Sequence, residues 1–252
     1  MYFDTHAHYD DKAFDEDREQ LLASMPQNQV DFIINPGCEV ESSRSAISLA
    51  ESFDHVYAAV GVHPEELRNY QPGDLEIIES LAAHPKCVAI GEIGLDYYWD
   101  DSRKDEQKQL FRAQLELALR LDKPVVIHDR EAHGDCMEIV ADYPALRGVF
   151  HCYSGSAEMA KELLKKGWYL GFDGPVTYKN ARKALEVLEI CPTERILTET
   201  DSPYLSPVPR RGKRNDSTNL PFIVEKIAQV KGLSVEEAAS AVFANAKRLF
   251  NI

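Results

Sequence analysis

Two histidines near the start of the chain have the spacing of a metal-binding pair. His6 and His8 lie in the stretch 2–8, whose aromatic and β-branched residues favour extended backbone. Because side chains two positions apart on a strand point to the same side, the two imidazoles converge on one point. Neutral imidazole nitrogens at such a point suit a divalent ion such as zinc. A solvated strand face with two polar residues would give the same pattern, so the pair alone leaves both interpretations open.

Further side chains of the types that bind metals follow the apolar runs downstream. Five of the eight histidines fall at the ends of such runs, whereas His55, His84 and His133 do not. Carboxylates at equivalent places extend the choice of ion from zinc to magnesium or manganese. The side chains that end the later runs are His63, Glu92, His128, His151, Glu199 and Asp201.

The elements that must position these residues are eight apolar runs that alternate with helical patterns. Several runs are continuous stretches of Val, Ile and Ala, as expected for parallel strands that are buried on both faces. The predicted strands are 2–6, 30–36, 56–62, 87–92, 124–128, 147–151, 168–172 and 195–200.

Helical signals separate the predicted strands. The stretch 107–122 carries an apolar stripe, 157–166 ends before a glycine, and Ser234 to Glu237 form a capping box. Eight βα units without a linker predict a single (β/α)8 TIM barrel over 1–252. An open doubly wound sheet is the alternative, but no G-x-G-x-x-G follows the first strand. In a barrel the carboxyl ends of all the strands meet on one face, which would bring the candidate ligands together.

The composition limits the class of protein. With 44% hydrophobic residues the chain of 252 can bury a sizeable core, and the absence of any run of about 18 apolar residues argues against a membrane helix. The net charge of −14 opposes tracking along a long nucleic acid, but not binding of a short phosphodiester. Five cysteines without a C-x-x-C pair, and no basic and apolar leader, predict reduced thiols in the cytoplasm. No feature predicts an obligate protein partner.

The candidate ligands lie in six short motifs that are spread through almost the whole chain. These are D-T-H-A-H at 4–8, G-V-H-P at 61–64, G-E-I-G-L-D-Y at 91–97, H-x-R at 128–130, H-C-Y-S-G at 151–155 and E-T-D-S-P-Y-L at 199–205. In content and order they resemble the motifs of the TatD family of metal-dependent hydrolases, within the amidohydrolase-like barrels. One departure is Ser217, where many members have proline, and it concerns the loop after the last strand.

The resemblance implies two divalent ions per chain, for which the candidates are zinc, magnesium and manganese. The implied ligands are His6, His8 and Asp201 for one ion, His128 and His151 for the other, and Glu92 as the bridge. Two ions about 3.5–4 Å apart can clamp the attacking and leaving oxygens of a phosphodiester. In that mechanism Asp201 would accept the proton of the attacking water. The alternative for Glu92 is a simple ion pair with Arg130.

Contacts to substrate are predicted for residues around these ligands. His63 would position a phosphate or move a proton, or would pack as a neutral histidine behind a ligand. Arg130 would bind a phosphate in bidentate fashion or balance a carboxylate, and Tyr153 would also contact substrate. The loop after the last strand holds the densest basic cluster, from which Arg211 and Arg214 are predicted to bind substrate. The aromatic cluster 97–99 would stack on nucleobases or form a hydrophobic lid.

Together these features predict a hydrolase that cuts phosphodiester bonds by a two-metal mechanism. The resemblance favours a deoxyribonuclease, as a 3′–5′ exonuclease on single-stranded DNA, with short single-stranded ends as the preferred substrate. The same site could attack an amide, an ester or a lactone instead. A metal-dependent binding protein without catalysis is the third interpretation.

Overall fold

Eight parallel strands alternate with helices along the chain, and a computed structural model describes all of residues 1–252. The strands are β1 Tyr2–Asp4, β2 Val30–Pro36, β3 Val56–Val60, β4 Cys87–Asp96, β5 Val125–Arg130, β6 Gly148–Phe150, β7 Tyr169–Phe172 and β8 Ile196–Thr198. The α-helices are α1 Arg18–Ser24, α2 Val40–Ser52, α3 Asp74–Ala82, α4 Lys104–Arg120, α5 His133–Ala141, α6 Ala157–Lys165, α7 Arg182–Ile190, α8 Leu220–Lys231 and α9 Val235–Phe250. Each strand pairs in parallel with its neighbours in the order β1 to β8.

The first and last strands meet at a seam that closes the sheet into a (β/α)8 barrel. The backbone N–H of Thr5 donates to the carbonyl of Thr198 at 3.1 Å. Beyond the strands, Asp201 donates to the carbonyl of His6 at 2.9 Å, and His8 donates to the carbonyl of Ser202 at 2.7 Å. The seam therefore continues up to the carboxyl ends of β1 and β8, where three candidate ligands lie.

The barrel interior explains why the functional side chains point to a common centre. A buried cluster takes at least one side chain from every strand, including Val126, Val149 and Leu197. His128 and His151 follow the first two of these by two positions, so strand alternation turns all four side chains to the same side. Apolar residues, both aliphatic and aromatic, fill the interior below the carboxyl ends of the strands, and the candidate ligands lie above them. A larger cluster packs the outer faces of the strands against the helices.

The predicted barrel is confirmed, and all eight predicted strands are present. The strand β4 continues four residues beyond the predicted end at Glu92, because Gly94 lets it stay paired with β5. Gly94 has φ +148°, and a Cβ at this position would lie 1.9 Å from the carbonyl oxygen of His128. The continuation brings Asp96 to the catalytic face as part of the strand. The capping box of Ser234 and Glu237 is also present, and no helix combines the length and hydropathy that a bilayer span needs.

Candidate metal centre

Glu92 lies at the centre of the cluster, and each of its two carboxylate oxygens faces a different pair of histidines. Oε2 is 3.2 Å from Nε2 of His6 and 3.6 Å from Nε2 of His8. Oε1 is 2.9 Å from Nδ1 of His128 and 2.8 Å from Nε2 of His151. The carboxylate is buried, and the chain contains no lysine or arginine within ion-pair distance of it. Glu92 therefore does not pair with Arg130, which was the alternative from the sequence.

The first group of donors lies on the seam between β1 and β8. The Nε2 atoms of His6 and His8 are 3.0 Å apart. The Oδ1 atom of Asp201 is 3.7 Å from Nε2 of His6 and 3.6 Å from Nε2 of His8. These atoms and Oε2 of Glu92 thus surround one point.

The second group lies on the neighbouring strands β5 and β6. Nδ1 of His128 and Nε2 of His151 are 3.4 Å apart. The ring of His151 also stacks on His6, with centroids 4.0 Å apart and planes at 9°. His63, which follows β3, places Nε2 at 3.5 Å from Oε1 of Glu92, beside this second group.

Both groups fit a divalent ion. Ligand atoms about 2.0–2.2 Å from one ion stand roughly 3.0–3.5 Å apart in an octahedral or tetrahedral shell, close to the observed spacings. The donors are imidazole nitrogen and carboxylate oxygen, the set that zinc and related ions prefer. Hydrogen bonds alone do not account for the packing of five imidazoles around one buried carboxylate, and Nδ1 of His6 has no hydrogen-bond partner.

The electrostatics of the cluster stabilise negative charge at its centre. Burial raises the pKa of Glu92, but the charges of the surrounding histidines outweigh it and hold the pKa well below its usual range. Burial lowers the pKa of His128, yet its hydrogen bonds to Asp96 and Glu92 raise the pKa to about 9. Burial and the neighbouring His128 lower the pKa of His63 to about 4. Burial opposes ionisation of Asp201, but the hydrogen bond from His8 keeps its pKa below the usual range.

Two further carboxylates lie behind the histidines of the second group, and only that of Asp96 is within hydrogen-bond distance. Oδ2 of Asp96 is 2.9 Å from Nε2 of His128. Oε1 of Glu199 lies 3.6 Å from Nδ1 of His151 and accepts a hydrogen bond from the backbone N–H of Cys152. The latter arrangement needs Gly171, since a Cβ there would be 2.5 Å from both carboxylate oxygens of Glu199. Carboxylates behind ligand histidines are a common device for fixing the ring and its tautomer.

The family is decided by comparison with known proteins. The sequence profile described as TatD related DNase matches residues 3–251. The chain belongs to the TatD family. A Bacillus subtilis relative named "Uncharacterized metal-dependent hydrolase YabD" is 44% identical over the full length of both chains. A Citrobacter rodentium relative named "3'-5' ssDNA/RNA exonuclease TatD" is 35% identical over 99% of this chain and 98% of its own.

Solved structures agree with this assignment. The crystal structure of YJJV, a TatD homologue from Escherichia coli, superposes with a TM-score of 0.94 at 32% identity, over 100% of this chain and 98% of that one. The protein is therefore a TatD-type metal-dependent hydrolase with the (β/α)8 fold.

In this TatD protein a buried hydrogen-bond network beside the first donor group involves Ser217. The hydroxyl of Ser217 donates to Oδ2 of Asp4 at 2.6 Å. Oδ1 of Asp4 accepts from the backbone N–H of Thr200 at 3.0 Å and of His6 at 3.3 Å. Ser217 is also 2.8 Å from the hydroxyl of Tyr9. The loop after β8 is thus tied to the strand that carries His6.

A cavity of about 1170 Å³ opens above the metal centre of the TatD site. Arg130 and Tyr153, two of the predicted substrate contacts, line it together with His63. Arg130 lies over the ring of Tyr98, with its guanidinium carbon 4.1 Å from the ring centroid. Tyr153 is buried, and its hydroxyl donates to the carbonyl of Ser156 at 3.1 Å.

The two arginines predicted from the basic loop do not line this cavity. Arg214 forms an ion pair with Asp17 at 2.6 Å and lies over the ring of Phe14, so its guanidinium holds the loop to the region before α1. Arg211 lies over the ring of Tyr178 at 4.1 Å, and that ring does line the cavity. Substrate binding by Arg214 and Arg211 stays a prediction, and in this structure the guanidinium of Arg214 is engaged by Asp17 outside the cavity lining.

The sequence interpretation missed several residues of the cavity. Arg182 and Lys183 at the start of α7 line its wall, and neither belongs to a family motif or to the densest basic cluster. Tyr204, within the last motif, also lines the cavity and is 54% exposed. The signal that could have found the two cations is their position at the start of the helix that follows the loop after β7, since every βα loop of a barrel reaches the catalytic face.

Proposed function

We propose that this TatD hydrolase uses two divalent metal ions to cut phosphodiester bonds at the 3′ ends of single-stranded nucleic acid. The observation that carries the proposal is that the two carboxylate oxygens of Glu92 face different histidines. Oε2 faces His6 and His8, whereas Oε1 faces His128 and His151. A carboxylate whose two oxygens face different donor groups would be able to bind one divalent ion with each oxygen, as in two-metal sites whose ions are about 3.5–4 Å apart.

The proposed ligand sets follow from the two donor groups. His6, His8 and Asp201 would hold one ion, His128 and His151 the other, and Glu92 would belong to both. Four imidazoles in the set favour zinc over magnesium. When bound, two ions would supply Lewis-acid stabilisation of phosphoryl oxygens and would make a water acidic enough to attack at neutral pH.

Asp201 is the proposed proton acceptor. Its carboxylate lies in the cavity wall beside the first donor group, and its pKa is lowered, so it is ionised at neutral pH and free to take a proton at an oxygen. An acceptor within hydrogen-bond reach of the attacking water lowers the barrier by removing the proton as the new bond forms. Glu199 and Asp96 remain behind the histidines and would orient them.

His63 is the proposed positioning group for a phosphate oxygen. Its Nδ1 accepts the backbone N–H of Glu65 at 3.2 Å, so the neutral ring carries its hydrogen on Nε2, the atom that faces the centre. A pKa of about 4 keeps the ring neutral at pH 7. His63 therefore offers a hydrogen-bond donor to the substrate and is a poor proton shuttle at that pH.

The cavity walls support a phosphodiester rather than a neutral carbonyl compound. Arg130, Arg182 and Lys183 line the cavity, and Arg130 and Lys183 form no ion pair with the protein. Cations without a carboxylate partner are available to backbone phosphates. The net charge of −14 opposes binding of a long duplex, so contacts must be few and local. The exonuclease name of the Citrobacter rodentium relative agrees with this choice of substrate.

The proposed compartment is the cytoplasm, whose environment is reducing. All five cysteines are free thiols, and three of them are buried. Disulfides are rare in cytosolic proteins because the thiol pools keep cysteines reduced.

The experiment that tests the function is a substrate panel on the metal-reconstituted enzyme. A linear single strand labelled at its 5′ end should give a ladder that shortens step by step, whereas the same sequence closed into a circle should survive. Asp201→Asn serves as the matched inactive control. Equal degradation of the circle would require an endonuclease, and hydrolysis of a lactone or amide without hydrolysis of any phosphodiester would replace the proposal by an amidohydrolase-type reaction.

A further inference from the structure

Large aromatic side chains are exposed at only one place on the molecule. Tyr98, Trp99 and Tyr204 are 55%, 61% and 54% exposed, and no other aromatic residue belongs to the exposed large hydrophobic side chains. Trp99 and Tyr204 line the cavity above the metal centre. Exposed apolar rings cost solvation free energy, so their confinement to the mouth of one cavity calls for a ligand that covers them.

The first station consists of Tyr98, Trp99 and Arg130. The two rings meet edge to face with centroids 4.8 Å apart. The guanidinium of Arg130 lies over both, at 4.1 Å from the centroid of Tyr98 and 5.4 Å from that of Trp99. Because stacking uses the plane of the guanidinium, its N–H groups stay free for a phosphate. The station thus offers aromatic rings and a cation side by side, which suit the base and the phosphate of a nucleotide.

Asp96 ties this station to the metal centre. Its Oδ1 accepts hydrogen bonds from the backbone N–H groups of Tyr98 and Trp99, each at 2.9 Å. Its other oxygen, Oδ2, is 2.9 Å from Nε2 of His128. One buried carboxylate therefore holds both the turn that carries the aromatic rings and a histidine of the centre. It fixes the position of the rings relative to that histidine.

The second station is Tyr204, on the loop after β8. In a barrel with the strand order β1 to β8, the strands β4 and β8 lie on opposite sides. The loop after β4 carries Trp99, so the two stations extend from opposite sides of the barrel to the cavity that Trp99 and Tyr204 both line. The hydroxyl of Tyr204 donates to Oδ2 of Asp11 at 2.8 Å, which holds the ring in place.

We infer that the two stations bind the nucleobases on either side of the scissile phosphodiester. The inference rests on the proposed function and deepens it, because it defines the substrate as at least two unpaired nucleotides with bases. Base stacking on aromatic rings is tolerant of sequence, since every base has a π-face. A base that is paired and stacked in a duplex cannot reach a ring at the rim, so the stations select single strands.

The fluorescence of the protein offers a direct test, because the chain has two tryptophans and Trp168 is buried. A phosphorothioate-linked tetrathymidylate, which resists hydrolysis, should quench the emission of Trp99 in the metal-loaded enzyme. An abasic phosphorothioate strand of equal length and charge should leave the emission unchanged. Equal quenching by the abasic strand would overturn the inference.

Steady-state kinetics provide the second test. Wild-type enzyme should show a KM about tenfold or more lower for a normal strand than for an abasic one. Trp99→Ala and Tyr204→Ala should each reduce this ratio towards one. Tyr204→Phe, which keeps the ring, and Leu119→Ala, which removes an exposed side chain on α4, should retain it. A Trp99→Ala enzyme with the full ratio would overturn the inference, whereas absence of cleavage by the wild-type enzyme, with quenching intact, would overturn only the proposed function.

Discussion

Asp96 accepts the Nε2–H of His128 at 2.9 Å, on the ring edge opposite to the one that faces Glu92. Because a neutral imidazole carries one hydrogen, this bond leaves the lone pair on Nδ1, the atom 2.9 Å from Glu92. The carboxylate thus selects the tautomer that can bind an ion, although it contributes no atom to the ligand set.

Asp96→Asn should weaken ion binding at the second group by about tenfold to a hundredfold, since an uncharged amide holds the imidazole less firmly. Titration with a chromogenic chelator measures the change. Asp100→Asn is the matched control, because Asp100 lies in the loop that directly follows Asp96 and pairs with Arg68 instead. Equal losses in the two variants would show that the effect comes from the loop and not from His128.

The number of bound ions per chain in two variants should distinguish Glu92, the proposed bridging residue, from the other proposed ligands. The wild-type protein should hold about two ions after reconstitution. His128→Ala should lose one of them preferentially, whereas Glu92→Gln should weaken both, because each oxygen of Glu92 faces a different group. Elemental analysis after dialysis gives the stoichiometry, and loss of only one ion in Glu92→Gln would exclude the bridging role.

Ion binding should release protons at neutral pH. In the ion-free protein the pKa of His128 is raised to about 9, and that of His151 is also raised above its usual range, against burial, by the charge of Glu92. An ion needs the lone pairs of these rings, so affinity at the second group should rise from pH 7 to about 9 and then level off. Calorimetry in buffers of different protonation enthalpy should count the protons. A heat of ion binding that does not depend on the buffer at pH 7 would show that His128 and His151 release no protons, and so are not charged in the ion-free protein.

Asp201→Asn should remove most activity while it preserves the fold. An amide cannot accept the proton, so kcat should fall by about a hundredfold to ten-thousandfold. Asn is the suitable replacement, because Asp201 has φ 55° and asparagine tolerates the left-handed region. Thermal unfolding checks the fold, and a variant with near-native kcat would exclude proton acceptance by Asp201.

The cations of α7 and of the basic loop should behave differently. Lys183→Ala should raise KM and reduce the slope of log KM against log salt by about one, since Lys183 lines the cavity without a partner. Arg214→Ala should leave that slope unchanged and lower the stability by about 0–1 kcal/mol, the range for an exposed ion pair. A smaller slope of log KM against log salt in Arg214→Ala would indicate that the basic loop does contact the substrate.

The barrel and its buried ligands were predictable because simple rules of strand geometry place them. Strand alternation and the shared carboxyl edge determine where His128 and His151 point once the strands are recognised. The apolar strand residues that precede the two histidines in the sequence were enough to predict their direction. The extension of β4 was not predictable in the same way, since it depends on the close approach of Gly94 to the carbonyl of His128.

The surface contacts were less predictable because tertiary partners decide where long side chains go. Arg214 belongs to the densest basic cluster, but Asp17 and Phe14, almost two hundred residues earlier in the chain, draw it away from the cavity. Arg130 has carboxylates close by in sequence, yet it stacks on Tyr98. No local pattern in the sequence encodes these choices.

The seam between β1 and β8 has a consequence for the newly made protein. His6 and His8 are synthesised long before Asp201, which follows them by almost two hundred residues. Backbone hydrogen bonds join them only after the barrel has closed. A nascent chain that stops before β8 can hold at most an incomplete ligand shell. A hydrolase built in this way has no complete candidate metal site until its last strand has been synthesised.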